Sequence, residues 1–530
     1  MITANCQGCC RRLAASLLML LLVCLSPAGR CWAQDTDTLG VDIDVQGLLT
    51  ASATYVTVSE LPNAVNYLPA PPDSTDALFT TDFVQWQWGK SLRGTTRGNQ
   101  ASRESQYGLN RWAIILSALL KVSMSSTRTP KILKLIYHVG ETASRSTQLA
   151  KLTYQRRRPF EVMGEHPWGQ YDREEELRGN GSFPSAHSAY GWGVALVMAE
   201  MFPHLQDTIL RRAFEYGEGR VIVGAHWQSD VEAARLTAAT AVARMHREPV
   251  FMSEFEEARN EYYTVLGITP PDIADTGLPL GARILNHPVD SASNCYLADV
   301  AQYWQAKSER GTLRGDQAAA DALCTSTDDL LETFATATGN VFTEELTPAL
   351  YDVVRLSRDS LLKAAQQLRD TWPVRKRPWQ QVGEPRMVPD TDSIHSAASA
   401  YPSFQGTVGW GVALLMAEIM ADKQDVILKR GYELGRSQEI MGDEYASDVL
   451  AGRTLACAVV ARLHAQPEFA QAIIRARYEY EVDPLYTPVG EVRARSIDEP
   501  NQWFTIDGKR LPAEPAEPGI YIHGGTKVVR

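Results

Sequence analysis

Cysteine is scarce where it would matter most. Of the eight in the chain, Cys6, Cys9, Cys10, Cys24 and Cys31 crowd the first 31 residues, and none follows until Cys295. The first half of the mature chain therefore has to fold without a disulfide. Of the three remaining, Cys295 and Cys324 are the plausible pair, while Cys457 sits in the apolar run Leu455–Val460 and reads as a buried free thiol. Long apolar runs are also missing after the N-terminus: the best candidates are interrupted by Lys121 and Arg453, which excludes a bilayer-spanning helix there. No metal-ligand spacing such as His-Glu-x-x-His occurs among the ten histidines. The basic run Arg156-Arg157-Arg158 is too short to make nucleic acid a partner of an acidic chain.

What is present begins with a secretory pattern. Arg11 and Arg12 precede the apolar run Leu13–Leu25, and Cys31-Trp32-Ala33 supplies small residues at the cleavage-determining positions. Residues 1–33 are expected to be removed, giving a periplasmic or secreted protein. Three arginines and no acids leave with that segment, so the formal charge moves from −11 to about −14.

The chain then says the same thing twice. FPSAHSAYGWGVALVMAE at 183–200 returns as YPSFQGTVGWGVALLMAE at 401–418. Thr96–Ala101 answers to Leu313–Ala318, Arg158-Pro159 to Arg377-Pro378 and Ser229-Asp230-Val231 to Ser447-Asp448-Val449, at offsets of 217 to 219. Such constancy implies duplication of a whole domain. Segments such as Trp112–Met124, Gly191–Met201 and Asp230–His246 carry apolar residues at three-and-four spacing without strand-like alternation. The expected fold class is all-α: two tandem helical bundles at 66–265 and 284–482, after an extension at 34–65, with a linker at 266–283. In the tail at 483–530, Gly519–Ile522 and Lys527–Val529 flank a turn-like His523–Thr526 and predict a β-hairpin.

Three clusters in the first repeat carry chemistry. Lys151 and Arg158 stand at i and i+7, which would place two cations on one helical face ending at Pro159; by itself such a helix end is a solvated face. Ser185-Ala186-His187 after Pro184 opens an apolar helix, where a hydroxyl and free backbone N–H groups can cradle an anion, or merely cap the helix. His226 and Asp230 at i and i+4 let a carboxylate hold one imidazole nitrogen and leave the other free, with Arg220 upstream and Gly224 marking a break between them. Taken singly, each has a bland structural reading. Together they supply three cations, an anion site, two histidines and a carboxylate in one domain.

The pattern Lys151-x6-Arg158-Pro159, Pro184-Ser185-Ala186-His187, Arg220-x5-His226-x3-Asp230 resembles the type 2 phosphatidic acid phosphatase superfamily, which includes vanadium haloperoxidases and the bacterial class A nonspecific acid phosphatases. Flanking stretches such as Tyr67–Pro72 and Val223–Asp230 look most like class A. Two positions depart from the usual motifs: Ala186 stands for a glycine and Gly219 for a serine. The resemblance implies a metal-independent phosphate monoester hydrolase that needs no cofactor and that vanadate inhibits. In that scheme His226 is the nucleophile forming a phosphohistidine, Asp230 fixes its tautomer and His187 is the acid and base. Lys151, Arg158, Ser185, Ala186 and Arg220 hold the phosphoryl oxygens. The partners implied are small phosphorylated substrates. A haloperoxidase, a lipid phosphatase and a non-catalytic binding or scaffold protein are the competing readings.

In the second repeat, Lys151 is matched by Asp370, His187 by Gln405, Arg220 by Gln438 and His226 by Glu444, while Arg158, Ser185 and Asp230 persist as Arg377, Ser403 and Asp448. A pocket with one cation and three acids repels phosphate and holds no imidazole nucleophile, so this copy is expected to be inactive and to serve as a packing partner in an internal pseudo-dimer. A rival reading makes Asp370, Glu444 and Asp448 a cation site.

Overall fold

In a computed structural model of the protein, residues 53–482 are described except 272–275, 323, 325 and 388–397, together with the strand segments of the tail. The secretory segment expected at 1–33 lies outside the described residues. The helices of the first half recur in order in the second. Ala77–Ser91 answers to Asn294–Lys307, Leu109–Leu120 to Thr327–Thr338, Ala186–Met201 to Phe404–Ile419, and Gln228–Met245 to Ala446–His464. Pro130–Arg145 and Gln148–Tyr154 are separate helices, whereas their counterpart Pro348–Thr371 runs without a break.

Ala186–Met201 and Phe404–Ile419 are the central helices, almost wholly buried. Their glycines explain why the Gly-Trp-Gly text occurs twice. A Cβ on Gly191 would lie 2.6 Å from the Tyr216 ring, and one on Gly193 2.5 Å from Ala143 Cβ; in the second half the corresponding approaches are 2.8 Å for Gly409 to Leu434 and 2.6 Å for Gly411 to Leu361. Only a residue without a side chain lets the neighbouring helices come this close. Ser185 and Ser403 cap the two helices, accepting from Ser188 N and Gly406 N.

The halves share one apolar core. Helix Gln228–Met245 lies against Phe404–Ile419 and Ala446–His464, and helix Asn294–Lys307 packs on Ala77–Ser91. Arg247 Nη1 donates to the Glu418 and Ile419 carbonyls at 2.9 and 2.8 Å, and His246 stacks on His464 with ring centroids 4.2 Å apart. Residues 53–65, part of the expected extension, also join the core through Val56, Leu61 and Ala64, and Asn63 N donates to Asp425 in the other half.

Several expectations are corrected. The helix expected over Trp112–Met124 spans Leu109–Leu120, because Lys121 turns into the left-handed region at φ 55°. Lys151 and Arg158 do not share a helix: Gln148–Tyr154 stops at Gln155, φ 44°, and Pro159 opens the next short helix rather than ending one, its missing N–H being harmless at a first helical position. Cys295 and Cys324 are not bridged. Cys324 is buried, Cys295 accepts from Gln85 Nε2 at 3.3 Å, and both are free thiols, as is Cys457. The tail holds more than a hairpin. Ile520–His523 pairs with Thr526–Val529, and Trp503–Thr505 and Arg510–Leu511 extend them into a four-stranded antiparallel sheet. Among the described residues no helix is long and apolar enough to cross a membrane.

Candidate active site

The three sequence clusters converge in the first half. Arg158 caps the short helix Pro159–Val162, its N–H held by the Glu161 carboxylate at 2.8 Å. From there its buried guanidinium reaches inward: Nε donates to the Leu177 and Asn180 carbonyls, and Nη1 to Ala225 O and to His226 Nε2, both at 2.9 Å. Lys151 Nζ is buried and donates to Gly181 O. Arg220, in the last turn of helix Gln206–Ile222, donates to Ser105 Oγ at 2.9 Å and Gln170 Oε1 at 2.8 Å. Its carbonyl accepts from both Ala225 N and His226 N. Gly224, at φ 73°, makes that turn possible, and a Cβ there would also strike Arg93.

His226 is oriented from both sides. A guanidinium can only donate, so Nε2 facing Arg158 carries the lone pair and Nδ1 carries the proton. Nδ1 faces Asp230 Oδ2 at 3.5 Å and Ser182 Oγ at 3.4 Å. Asp230 is fully buried and held by Arg156 Nη1 at 2.6 Å, Trp227 N at 2.8 Å and the Ser182 hydroxyl. Burial pushes this carboxyl up, but Arg156, His226 and Ser182 outweigh it and hold the group below the ordinary carboxylate range. Ser185 N donates to the Asp230 carbonyl at 3.0 Å, tying the start of the central helix, with Ala186 and His187 in its first turn, to helix Gln228–Met245. His187 stacks flat on Tyr216 at 4.4 Å, and its buried Nε2 has no hydrogen-bond partner among the described residues.

These cations are crowded. Burial and then Arg158 push Lys151 well down, and burial lowers Arg158 to about 10 and Arg220 to about 9. Burial, with Arg220 acting on His187 and Arg158 on His226, holds both imidazoles well below their usual range. An anion placed among these groups relieves all five at once.

Sequence reasoning missed the clamp beneath His226 and Asp230. Arg156 bridges Asp82 at 2.7 Å and Asp230, and also donates to Ser229 Oγ and Pro72 O. The signal was in the repeat: Arg375 Nη2 pairs with Asp299, and Nη1 meets Ser447 Oγ and Asp448. A network present in both halves, only one of which has the imidazoles, is architecture supporting the site rather than chemistry confined to it.

The second pocket corrects one assignment. Asp370 is exposed and bonded to Gln366, so it does not occupy the place of Lys151. Its neighbour Arg369 does, donating to Pro402 O at 2.8 and 3.0 Å and to Glu444 Oε1 at 3.1 Å. Arg377 Nη1 lies 3.9 Å from the same oxygen. The pocket thus pairs two guanidinium groups with Glu444 rather than one cation with three acids, and a cation site built on Asp370 loses that ligand. Helix Pro348–Thr371 keeps the 218 offset of Pro130 to Pro348 as far as Arg369; the extra residue that makes Arg158 answer to Arg377 at 219 comes after it, so a count back from Arg377 lands one residue too far.

A buried cradle of cations around an oriented imidazole matches a known architecture: residues 132–249 fit the PAP2 superfamily. The chain is 38% identical to a non-specific acid phosphatase of Providencia stuartii over 209 residues, 39% of this chain and 84% of the relative. It is 36% identical to a non-specific acid phosphatase of Salmonella typhimurium over 202 residues, 38% and 80% respectively, and 31% identical to an acid phosphatase of Zymomonas mobilis over 195 residues, 37% and 74%. The chain belongs to this family of acid phosphatases, which are phosphoric monoester hydrolases.

Proposed function

We propose that the first half hydrolyses small phosphate monoesters through a phosphohistidine on His226, without a metal in the catalytic pocket. The observation that carries this reading is the placement of His226 Nε2 against the Arg158 guanidinium at 2.9 Å while Nδ1 turns to Asp230. A phosphoryl group held by Arg158, Lys151, Arg220, the Ser185 hydroxyl and the backbone N–H groups of Ala186 and His187 lies in front of that lone pair. Nε2 attacks phosphorus and the P–O bond to the leaving group breaks; the imidazolium that results is stabilised by Asp230. His187 donates the proton to the leaving oxygen, then takes one from water, whose oxygen attacks phosphorus and returns Nε2 to its free form. Vanadate, which mimics the five-coordinate phosphorus of the transition state, acts as an inhibitor.

The secretory pattern at 1–33 supports export to the periplasm or beyond. The second half, with Glu444 and Gln405 in place of the imidazoles, hydrolyses nothing in this reading and serves as the partner in a covalent pseudo-dimer. The test is hydrolysis of an aryl phosphate from pH 4 to 8 with chelator present. The unmodified chain and Glu444→Ala are expected to be active and His226→Ala inactive, with acid-quenched labelled enzyme yielding phosphohistidine. Activity retained by His226→Ala would sink the proposal.

A further inference from the structure

The junction of the halves holds a second cluster of titratable groups, remote in sequence from the catalytic residues. His246 and His464 end the two equivalent helices, Gln228–Met245 and Ala446–His464, and their rings stack at 4.2 Å and 27°. Each ring donates Nδ1–H to the carbonyl one turn back, His246 to Val242 O at 2.9 Å and His464 to Val460 O at 3.0 Å. A carbonyl can only accept, so the tautomer of both rings is settled and both Nε2 atoms are committed to what they face. His246 Nε2 meets Glu200 Oε2 at 3.0 Å, and His464 Nε2 meets Glu418 Oε2 at 2.8 Å. All four side chains are buried. Beside them is a cavity of about 20 Å³ lined almost entirely by apolar atoms, among them Leu196, Val242, Leu414 and Val460.

Each Nε2 shares its carboxylate with either a proton or a cation. Protons make the pairs imidazolium carboxylates, with Arg477 close by through its donation to His246 O at 3.5 Å. A single dication would take the place of both protons, leave the rings neutral and balance the two carboxylates. The ligand atoms of His246, His464 and Glu418 lie within 4.8 Å of one another, and a tetrahedral ion with bonds of about 2.0–2.1 Å asks that this spacing close to roughly 3.4 Å. The Nδ1–H to carbonyl bond on each histidine is also the arrangement that orients metal-ligating imidazoles.

We propose that His246, His464 and Glu418, with Glu200 as fourth donor, form a buried site for a divalent transition ion such as Zn²⁺, which locks the two halves together. The two nitrogen and two oxygen donors favour Zn²⁺ over Mg²⁺ or Ca²⁺, which take oxygen ligands. The ion is structural and is distinct from the phosphate pocket, whose chemistry needs none.

The test uses the full mature chain, stripped with chelator and then dialysed against Zn²⁺ or Co²⁺. One equivalent of zinc per chain is expected, and Co²⁺ should give the intense visible bands of tetrahedral coordination. Less than a tenth of an equivalent, or the weak absorption of octahedral Co²⁺, overturns the proposal. His246→Gln with His464→Gln should weaken binding at least tenfold, and Glu418→Gln alone serves if the double variant does not fold; full binding by the variant that folds also overturns it. His226→Ala should bind the ion unchanged, and loss of binding there would place the ion in the catalytic pocket and refute the assignment.

Discussion

Arg156→Met, set beside Arg375→Met, separates architecture from chemistry inside one molecule. Arg156 is the counter-charge of two buried carboxylates, at 2.7 Å from Asp82 and 2.6 Å from Asp230, both no more than 1% exposed. Methionine fills much of the volume and supplies no charge. Breaking a buried ion pair by removing one partner costs about 3–5 kcal/mol, because a charge is left without compensation. At roughly 1 °C per kcal/mol for one cooperative unit of this size, the melting temperature falls by roughly 3–5 °C. Arg375 stands in the same relation to Asp299 and Asp448, so Arg375→Met should cost about as much. The two differ in what else they disturb. Without Arg156, burial acts on Asp230 with less opposition, its carboxyl titrates higher, and the hold on His226 Nδ1 weakens. Asp448 shows that direction already: it keeps its arginine but lacks the imidazole and the Ser182 hydroxyl, and burial lifts it to about 7. Measured on protein still folded at 25 °C, Arg156→Met should lose roughly 10–100-fold in kcat, with the loss deepening toward acid pH, while Arg375→Met keeps full activity. Urea unfolding and aryl phosphate kinetics read the two quantities separately. Equal kinetic losses in both variants, or none in Arg156→Met despite its lost stability, would refute the reasoning.

Stability should also depend on pH through the two site histidines. Both titrate well below their usual range in the folded chain, burial being the first cause, so folding favours their neutral forms. That contribution is complete above the unfolded value near 6.5 and is lost as pH falls below it. Because a bound anion lets the same groups protonate, inorganic phosphate or vanadate should raise the melting temperature more at pH 5 than at pH 7.5, measurable by thermal shift. Gly193→Ala places a methyl 2.5 Å from the Ala143 methyl, which has no side chain to swing aside, and should destabilise by about 1–3 kcal/mol. Gly411→Ala meets the end of the Leu361 side chain at 2.6 Å, which can rotate, so its cost in denaturant unfolding should be the smaller.

The helical character, the repeat and the residues that converge on phosphate were legible because each leaves a local trace: three-and-four periodicity, a constant offset, a fixed spacing from Arg220 to Asp230. What was not legible depended on the path of the chain between landmarks. Arg158 reaches His226 from a loop and a new helix, not along the face it would share with Lys151, because Gln155 takes a left-handed conformation that no propensity announces. Arg156 looked like one third of a basic run, since its two carboxylates are 74 residues away on either side. Asp370 was displaced by Arg369 because the extra residue of the second half falls between Arg369 and Arg375, so counting back from Arg377 overshoots by one. Closeness in sequence likewise does not bring Cys295 and Cys324 together: one lies in helix Asn294–Lys307 against Gln85, the other in the loop before helix Thr327–Thr338, near Thr333.

Glu444 closes the second pocket on itself. Its carboxylate lies 3.1 Å from Arg369 and 3.9 Å from Arg377, so both arginines have a counter-charge already in place. Replacing Glu444 by a neutral imidazole takes the counter-charge from two buried guanidinium groups and leaves them their carbonyl acceptors at Pro402 and Asp443, and replacing either arginine weakens the support of a buried acid. Each member of the trio therefore guards the others against single substitutions, and reaching the side chains of the first pocket would need Glu444, Gln405 and Gln438 to change together. A pocket locked in this way is free to drift at its mouth while its packing face stays answerable to the half it adjoins.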